Sequence, residues 1–270
     1  TAIPALGIKD SFSVYEGIKG YEKVLYTQSY RPDSQSAASR TTFYSYTLDT
    51  YNDDAIDTSV TYRGEHTSIP GTGIKDSFSK YEGLKGYEKV LYTQSYRPDS
   101  QIAASRTTFY SYTLDTYNDD AIDTSVTYRG EHIVIPALGI KDSFSKYSGI
   151  KGYEKVLYTH SFRPDSQTLA SRTTFYSYTL DSYNDDAIDT SVTYRGEHTT
   201  IPALGIKDSF SKYEGLKGYE KVLYTHSFRP DSQGAAARTT FYSYKLDTYN
   251  DDAIDTSVTY RGEHTAIPAL

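Results

Sequence analysis

Asp53-Asp54-Ala55-Ile56-Asp57-Thr58-Ser59-Val60-Thr61-Tyr62-Arg63-Gly64-Glu65-His66 returns without a substitution at 119–132, 185–198 and 251–264, a spacing of 66 residues each time. Repetition at a fixed period decides the fold before any other signal, because each copy is one structural unit that buries its surface against its neighbours. The chain divides into four such units: 1–72 (the repeat proper from Gly7), 73–138, 139–204 and 205–270. The first two units differ at only seven positions, among them Val14/Lys80 and Ser36/Ile102. Thr1-Ala2-Ile3-Pro4-Ala5-Leu6 reappears as 265–270 apart from the change of context, so the chain starts and stops in the same phase of its repeat.

Within a unit, apolar and polar residues alternate with period two, the signature of half-buried strands. Val24, Tyr26, Gln28 and Tyr30 alternate with Leu25, Thr27, Ser29 and Arg31. Tyr44, Tyr46 and Leu48 alternate with Ser45, Thr47 and Asp49, and Ile56, Thr58, Val60 and Tyr62 with Asp57, Ser59, Thr61 and Arg63. Turn residues separate the runs at Arg31-Pro32-Asp33-Ser34, at Tyr51-Asn52-Asp53-Asp54 and from Tyr15-Glu16-Gly17 to Gly20. A further strand is expected within 8–15 or 66–75, where Pro70 restricts the ladder. No segment has helical periodicity. The reading is all-β, four tandem antiparallel repeats of four or five strands. They are expected to close either as two two-repeat barrels or as a four-bladed propeller-like ring.

Composition narrows the functions. With 28 basic and 35 acidic residues the net charge is −7, which offers no basic field for nucleic acid or an anionic membrane. No apolar run approaches the ~20 residues that span a bilayer, so membrane insertion is not expected. Thr1-Ala2-Ile3-Pro4 has no signal-peptide pattern. The expectation is a soluble protein, with secretion and homo-oligomerisation left open. No Cys is present, so disulfides and thiolate chemistry are excluded, and the aromatic load falls on 30 Tyr and 10 Phe. Residues 36–39 and their copies vary most and read as an exposed loop tip.

Arg63-Gly64-Glu65-His66 combines a cation, a flexible backbone point, a carboxylate and an imidazole, a set able to fix the hydroxyls of a polar ligand. The plain alternative is a strand end carrying an ordinary surface ion pair. His66, His132, His198 and His264 recur once per unit without the close His pair of a metal site, and Asn52-Asp53-Asp54 lacks the Gly and Glu spacing of a calcium loop. No metal and no cofactor are expected. No nucleophile elbow or P-loop occurs, and identical modules give little scope for the asymmetric carboxylate pair of a glycosidase, so the chain is read as non-enzymatic. Four equivalent surfaces favour repeated weak sites that gain strength by avidity.

Thr61-Tyr62-Arg63-Gly64-Glu65, preceded by an Asp-Asp turn and a strand, resembles the end of the repeat in the Oscillatoria agardhii agglutinin family, with a fainter echo at 29–35. The likeness covers about the last third of each unit. It implies antiparallel barrels built from two repeats and binding of high-mannose glycans. It also implies sugar contacts by Arg31 and Glu65, with the backbone at His66, and equally by Arg97, Glu131 and His132; Arg163, Glu197 and His198; and Arg229, Glu263 and His264. The family's Trp-Gly-Gly loop is absent. The nearest stretch in phase is Tyr15-Glu16-Gly17, with Ser148 replacing the Glu in unit three. Tyr15, Tyr81, Tyr147 and Tyr213 are therefore read as stacking platforms, without the family's mannose specificity. The expected function is a multivalent lectin for glycans or glycoproteins, with one site per repeat. The alternative is a Tyr-rich structural or adhesive repeat protein, natural or engineered, with no small ligand.

Overall fold

In the computed structural model, residues 8–31, 35–48, 54–114, 120–180, 186–215, 217, 220–246 and 252–268 are described. Parts of the expected turns, at 32–34 and 51–53, lie outside them, as does the segment 1–7. Strands β1 (Ser11–Glu16), β2 (Lys23–Ser29), β3 (Arg40–Leu48) and β4 (Asp54–Arg63) make the first repeat. The second holds β5 (Lys75–Glu82), β6 (Lys89–Ser95), β7 (Arg106–Leu114) and β8 (Asp120–Arg129). The third holds β9 (Lys141–Ser148), β10 (Lys155–Ser161), β11 (Arg172–Leu180) and β12 (Asp186–Arg195). The fourth holds β13 (Lys207–Glu214), β14 (Lys221–Ser227), β15 (Arg238–Leu246) and β16 (Asp252–Arg261). The strand whose position the alternation left open is the one at 11–16, and the Pro70 segment is a loop.

All sixteen strands belong to one antiparallel sheet, in chain order from β1 to β16. This corrects both closed architectures expected above. A propeller would break the sheet at each repeat boundary, and barrels would pair the first strand of a half with its last. Instead β4 pairs with β5 and β12 with β13 straight across the boundaries. Among the described residues no ladder joins β1 to β16. The physical reason is the complementarity of the boundary strands. Val60 lies opposite Phe78 and Ser59 opposite Ser79, while Arg40 and Arg63 both bond Asp76, at 2.9 and 2.7 Å. A boundary of that quality continues the sheet as well as any pair inside a repeat.

Register and alternation sort the side chains onto two faces. One carries an aromatic row: Tyr26 packs on Phe43 (5.6 Å between ring centres) and Phe43 edge-on to Tyr62 (6.2 Å), with the same contacts at Tyr158, Phe175 and Tyr194. The other carries a hydroxyl ladder, in which Ser13 meets Thr27, Thr42 meets Thr61 and Ser79 meets Thr93, each at 2.9 Å. Near the β1–β2 and β3–β4 hairpins the register shifts at Ser45/Tyr46 and its equivalents, and tyrosines line the hydroxyl side. There Tyr46 donates to Val24 O at 2.8 Å. Burial raises the Tyr46 hydroxyl above its ordinary pKa despite that bond, and pushes its equivalent Tyr178 up to about 12.

The buried set is small and half polar. In the first repeat it includes Tyr30, Ala38, Phe43 and Ala55 beside Gln28, Thr41 and Ser59. The largest side chains that are fully enclosed are Thr41, Thr107, Thr173 and Thr239. Two compact units divide the chain. One contains β1 to β6, the first half of β7, the end of β8 and the last residue of β15; the other contains β9 to β14, the rest of β15, all of β16 and the remainder of β7 and β8.

Candidate functional site at the loop end of each repeat

In every repeat the β2–β3 and β4–β5 connections meet at one end of the strands, and the two hairpins lie at the other. The loop end begins at Gly64, whose φ of +85° lies in the left-handed region that glycine adopts without strain. Its N–H donates to Ser39 O at 2.8 Å, joining the two loops. The next residue, Glu65, accepts the Ala38 N–H on Oε2 at 3.0 Å. The equivalent bonds are Glu131 with Ala104 (3.0 Å), Glu197 with Ala170 (2.8 Å) and Glu263 with Ala236 (2.9 Å). All four glutamates are nevertheless exposed. Each repeat thus presents a carboxylate held in one position by a backbone amide.

His66 is built into the fold more deeply. Its N–H donates to Thr41 Oγ1 (3.0 Å), and that hydroxyl donates to Gly64 O (2.8 Å), which explains why Thr41 is fully enclosed. Its carbonyl accepts from Gln28 Nε2 at 3.1 Å. The ring donates from Nε2 to Arg63 O at 2.7 Å and packs edge-on to Tyr62. His132, His198 and His264 repeat the arrangement. The loop then turns back at Pro70 and passes Gly73, where a Cβ would fall 2.3 Å from Pro70 Cγ and 3.0 Å from Tyr62. Only glycine fits there.

The arginines border the same loops. Arg31 is buried, and its carbonyl accepts from the Gln35 side-chain amide, whose own oxygen accepts the Lys9 N–H at 2.6 Å. Arg97, Arg163 and Arg229 are exposed, each closing a short turn through its carbonyl onto the N–H of Ser100, Ser166 or Ser232. Beside Arg97, Tyr96 carries the Lys75 ammonium over its ring at 3.7 Å and donates to Gln94 Oε1 at 3.2 Å. Burial, and then the negative charge of Glu131, raise the Tyr96 hydroxyl above its ordinary pKa.

The structure thus brings the Arg, Glu and His of a repeat to one end, but not the Tyr. Tyr15 pairs with Val24, seven residues before Arg31, a separation of about 23 Å along an extended strand. The hydroxyls of Tyr81, Tyr147 and Tyr213 meet Ser59, Ser125 and Ser191 at 3.1 Å near the hairpin end. Residues 36–39 are only half a loop tip: Ser36 is exposed and Ile102 wholly so, yet Ala38 and Ser39 are buried against the β4–β5 loop.

Two features went unread in the sequence. Gln28 and Gln94, or His160 and His226 in their place, are buried and hold the carbonyl of the conserved-in-every-repeat loop histidine, at 2.9 Å for both imidazoles. In the second repeat, Ile133, Val134 and Ile135 line a surface cavity of about 450 Å³ with Leu91, Tyr92, Phe109 and Tyr110. The signal for it was the departure from Thr67-Ser68 and Thr199-Thr200 at the same phase. Among the described residues no cluster of three or more His, Cys, Asp or Glu is placed to hold a metal ion, and no helix is long and apolar enough to cross a membrane.

No protein-family model and no curated protein matches the chain. Among solved structures, a porin-like protein from Bacteroides uniformis aligns at 12% identity over 78% of this chain and 91% of its own, with a TM-score of 0.23. A Bacteroides fragilis protein of unknown function aligns at 7% identity over 80% and 90%, with a TM-score of 0.12. Similarity at that level carries no argument about this chain.

Proposed function

We propose that the chain is a multivalent, non-enzymatic carbohydrate-binding protein with one equivalent site at the loop end of each repeat. The observation that carries this reading is the exposed carboxylate of Glu65, Glu131, Glu197 and Glu263, each fixed by a backbone N–H. A carboxylate already held in place loses little rotamer freedom when it accepts two sugar hydroxyls, and in three repeats an exposed arginine borders the same loops. The resemblance of Thr61–Glu65 to the agglutinin repeat points to the same ligand class. The proposed set is Arg, Glu and the adjoining loop backbone, with the hairpin-end Tyr left out because of its distance.

The test is a broad glycan array, with the wild-type chain compared against Glu→Gln at all four positions. Glutamine keeps an oxygen for the alanine N–H, so the fold is retained, while the charge-assisted bonds to ligand are lost. Selective binding that falls by about tenfold or more in the variant is expected. A blank array with folded protein overturns the reading. It would favour the structural or adhesive alternative, which has its own support in the use of the His66 N–H, carbonyl and Nε2 by the fold.

A further inference from the structure

The outer strands of the sheet carry the two halves of a junction that the chain already builds internally. β16 has the same sequence as β4, β8 and β12, and β1 matches β5 and β13 except that Val14 stands where they have Lys80 and Lys212; β9 likewise has Lys146 there and differs further only in Ser148 for Glu16. Inside the chain these surfaces are covered: Ser59 and Ser191 are buried. On β16 the run 254–259 is exposed throughout, with Ile254 at 58% and Val258 at 46%. On β1, Ile8, Phe12 and Tyr15 are exposed at 65%, 48% and 60%.

We propose that β16 of one copy pairs with β1 of a second copy, reproducing the internal β4·β5 and β12·β13 junctions between molecules. The internal register places Thr58 opposite Lys80, Val60 opposite Phe78 and Tyr62 opposite Lys75. Carried to the joint, it sets Thr256 against Val14, Val258 against Phe12 and Tyr260 against Lys9. Arg238 and Arg261 then reach Asp10 as Arg40 and Arg63 reach Asp76. Ser257 meets Tyr15 as Ser59 meets Tyr81, and Glu22 accepts from Ile254 N–H as Glu88 does from Ile56. The loop that leads up to the joint is already folded, with His264 N–H on Thr239 Oγ1 at 3.0 Å as in the internal copies.

Two substitutions fall at the one internal contact that the joint would otherwise lack. Each internal boundary carries an ion pair across it, Asp57 with Lys80, Asp123 with Lys146 and Asp189 with Lys212. At the end strand Asp255 is paired within its own repeat by Lys245, at 3.0 Å, where the other repeats have Thr47, Thr113 and Thr179. With Asp255 neutralised in cis, Val14 brings no charge and none is left unmatched. An edge strand built to stay single usually keeps an outward lysine. Here β1 has replaced it with a β-branched apolar residue. The contact is heterologous, so each added copy presents a fresh edge.

The experiment is sedimentation velocity of the full chain across a wide concentration range. Species at whole-number multiples of 30.4 kDa, growing with concentration, are expected. Phe12→Lys and Val258→Lys, both at exposed positions, should each weaken association by about tenfold. Lys245→Thr should weaken it by about fivefold or less, and adding Val14→Lys should restore it by recreating the internal ion pair. A wild-type chain that stays at the monomer mass overturns the proposal, as does association indifferent to Phe12→Lys and Val258→Lys.

Discussion

Replacing Gln94 by His and Tyr96 by Phe in the second repeat should cost stability one at a time and little together. In the first two repeats the buried glutamine does two jobs. Gln94 Nε2 donates to His132 O at 3.2 Å, and Gln94 Oε1 accepts from Tyr96 OH at 3.2 Å. In the third and fourth repeats the pair reads His160/Phe162 and His226/Phe228. The imidazole keeps the first bond, at 2.9 Å to His198 O, and sits between Phe144 and Tyr158 with ring centres 5.6 and 4.9 Å away. The phenol acceptor is gone, and so is the phenol hydroxyl. The lysine over the ring remains, at 4.5 Å from Phe162 against 3.7 Å from Tyr96. Gln94→His alone removes the acceptor of a half-buried hydroxyl, costing about 1 kcal/mol; Tyr96→Phe alone leaves a buried amide oxygen without its donor, costing about 1–2 kcal/mol. The double variant installs the pair that later repeats use, so a coupling of about 2–3 kcal/mol should appear in the cycle. Urea unfolding of the four proteins, followed by circular dichroism and compared at a common slope, measures it. A double variant destabilised by the sum of the singles would refute the reasoning.

Asp208 gives an acid limb. Burial works to raise its carboxyl, but hydrogen bonds and charge from Arg195 and Arg172 outweigh it and hold the group below its ordinary value. A depressed folded pKa stabilises above the unfolded value of about 3.9 and is lost as pH falls through the folded one, so Asp208→Asn should flatten the loss of stability below about pH 4. Acid unfolding of the two proteins with the same pH slope would contradict this. Tyr178 gives the alkaline counterpart: burial lifts it to about 12, so its contribution is complete below about pH 10 and disappears as pH rises through the folded value. Tyrosinate absorbance should show a late phase shared by Tyr178 and the other raised tyrosines such as Tyr46 and Tyr176, with its amplitude reduced by about one tyrosine in Tyr178→Phe; an unchanged late amplitude there would contradict the assignment.

The loop end shows where residue types and their setting part company. Glu65 and His66 were legible as polar residues closing a strand, and their presence in every repeat followed from the period. Their roles were not legible, because the partners come from far along the chain: Ala38 lies 27 residues from Glu65, and Gln28 lies 38 from His66. Tyr15 looked equivalent to them as a ligand contact. Strand direction alone sends it to the hairpin end, and a β-strand of known length makes that distance unavoidable once the register is set.

The sequence by itself determined the repeat, the strand class and most strand positions, since period two is a local property that each run carries within itself. It also determined that every repeat boundary is alike. Tertiary structure alone decided that the sheet continues through those boundaries without closing. A strand pattern is the same in a propeller blade, a barrel stave and an open sheet; what distinguishes them is the pairing of strands remote in sequence and the twist that accumulates between them, and neither is written in the alternation of Val60, Thr61 and Tyr62.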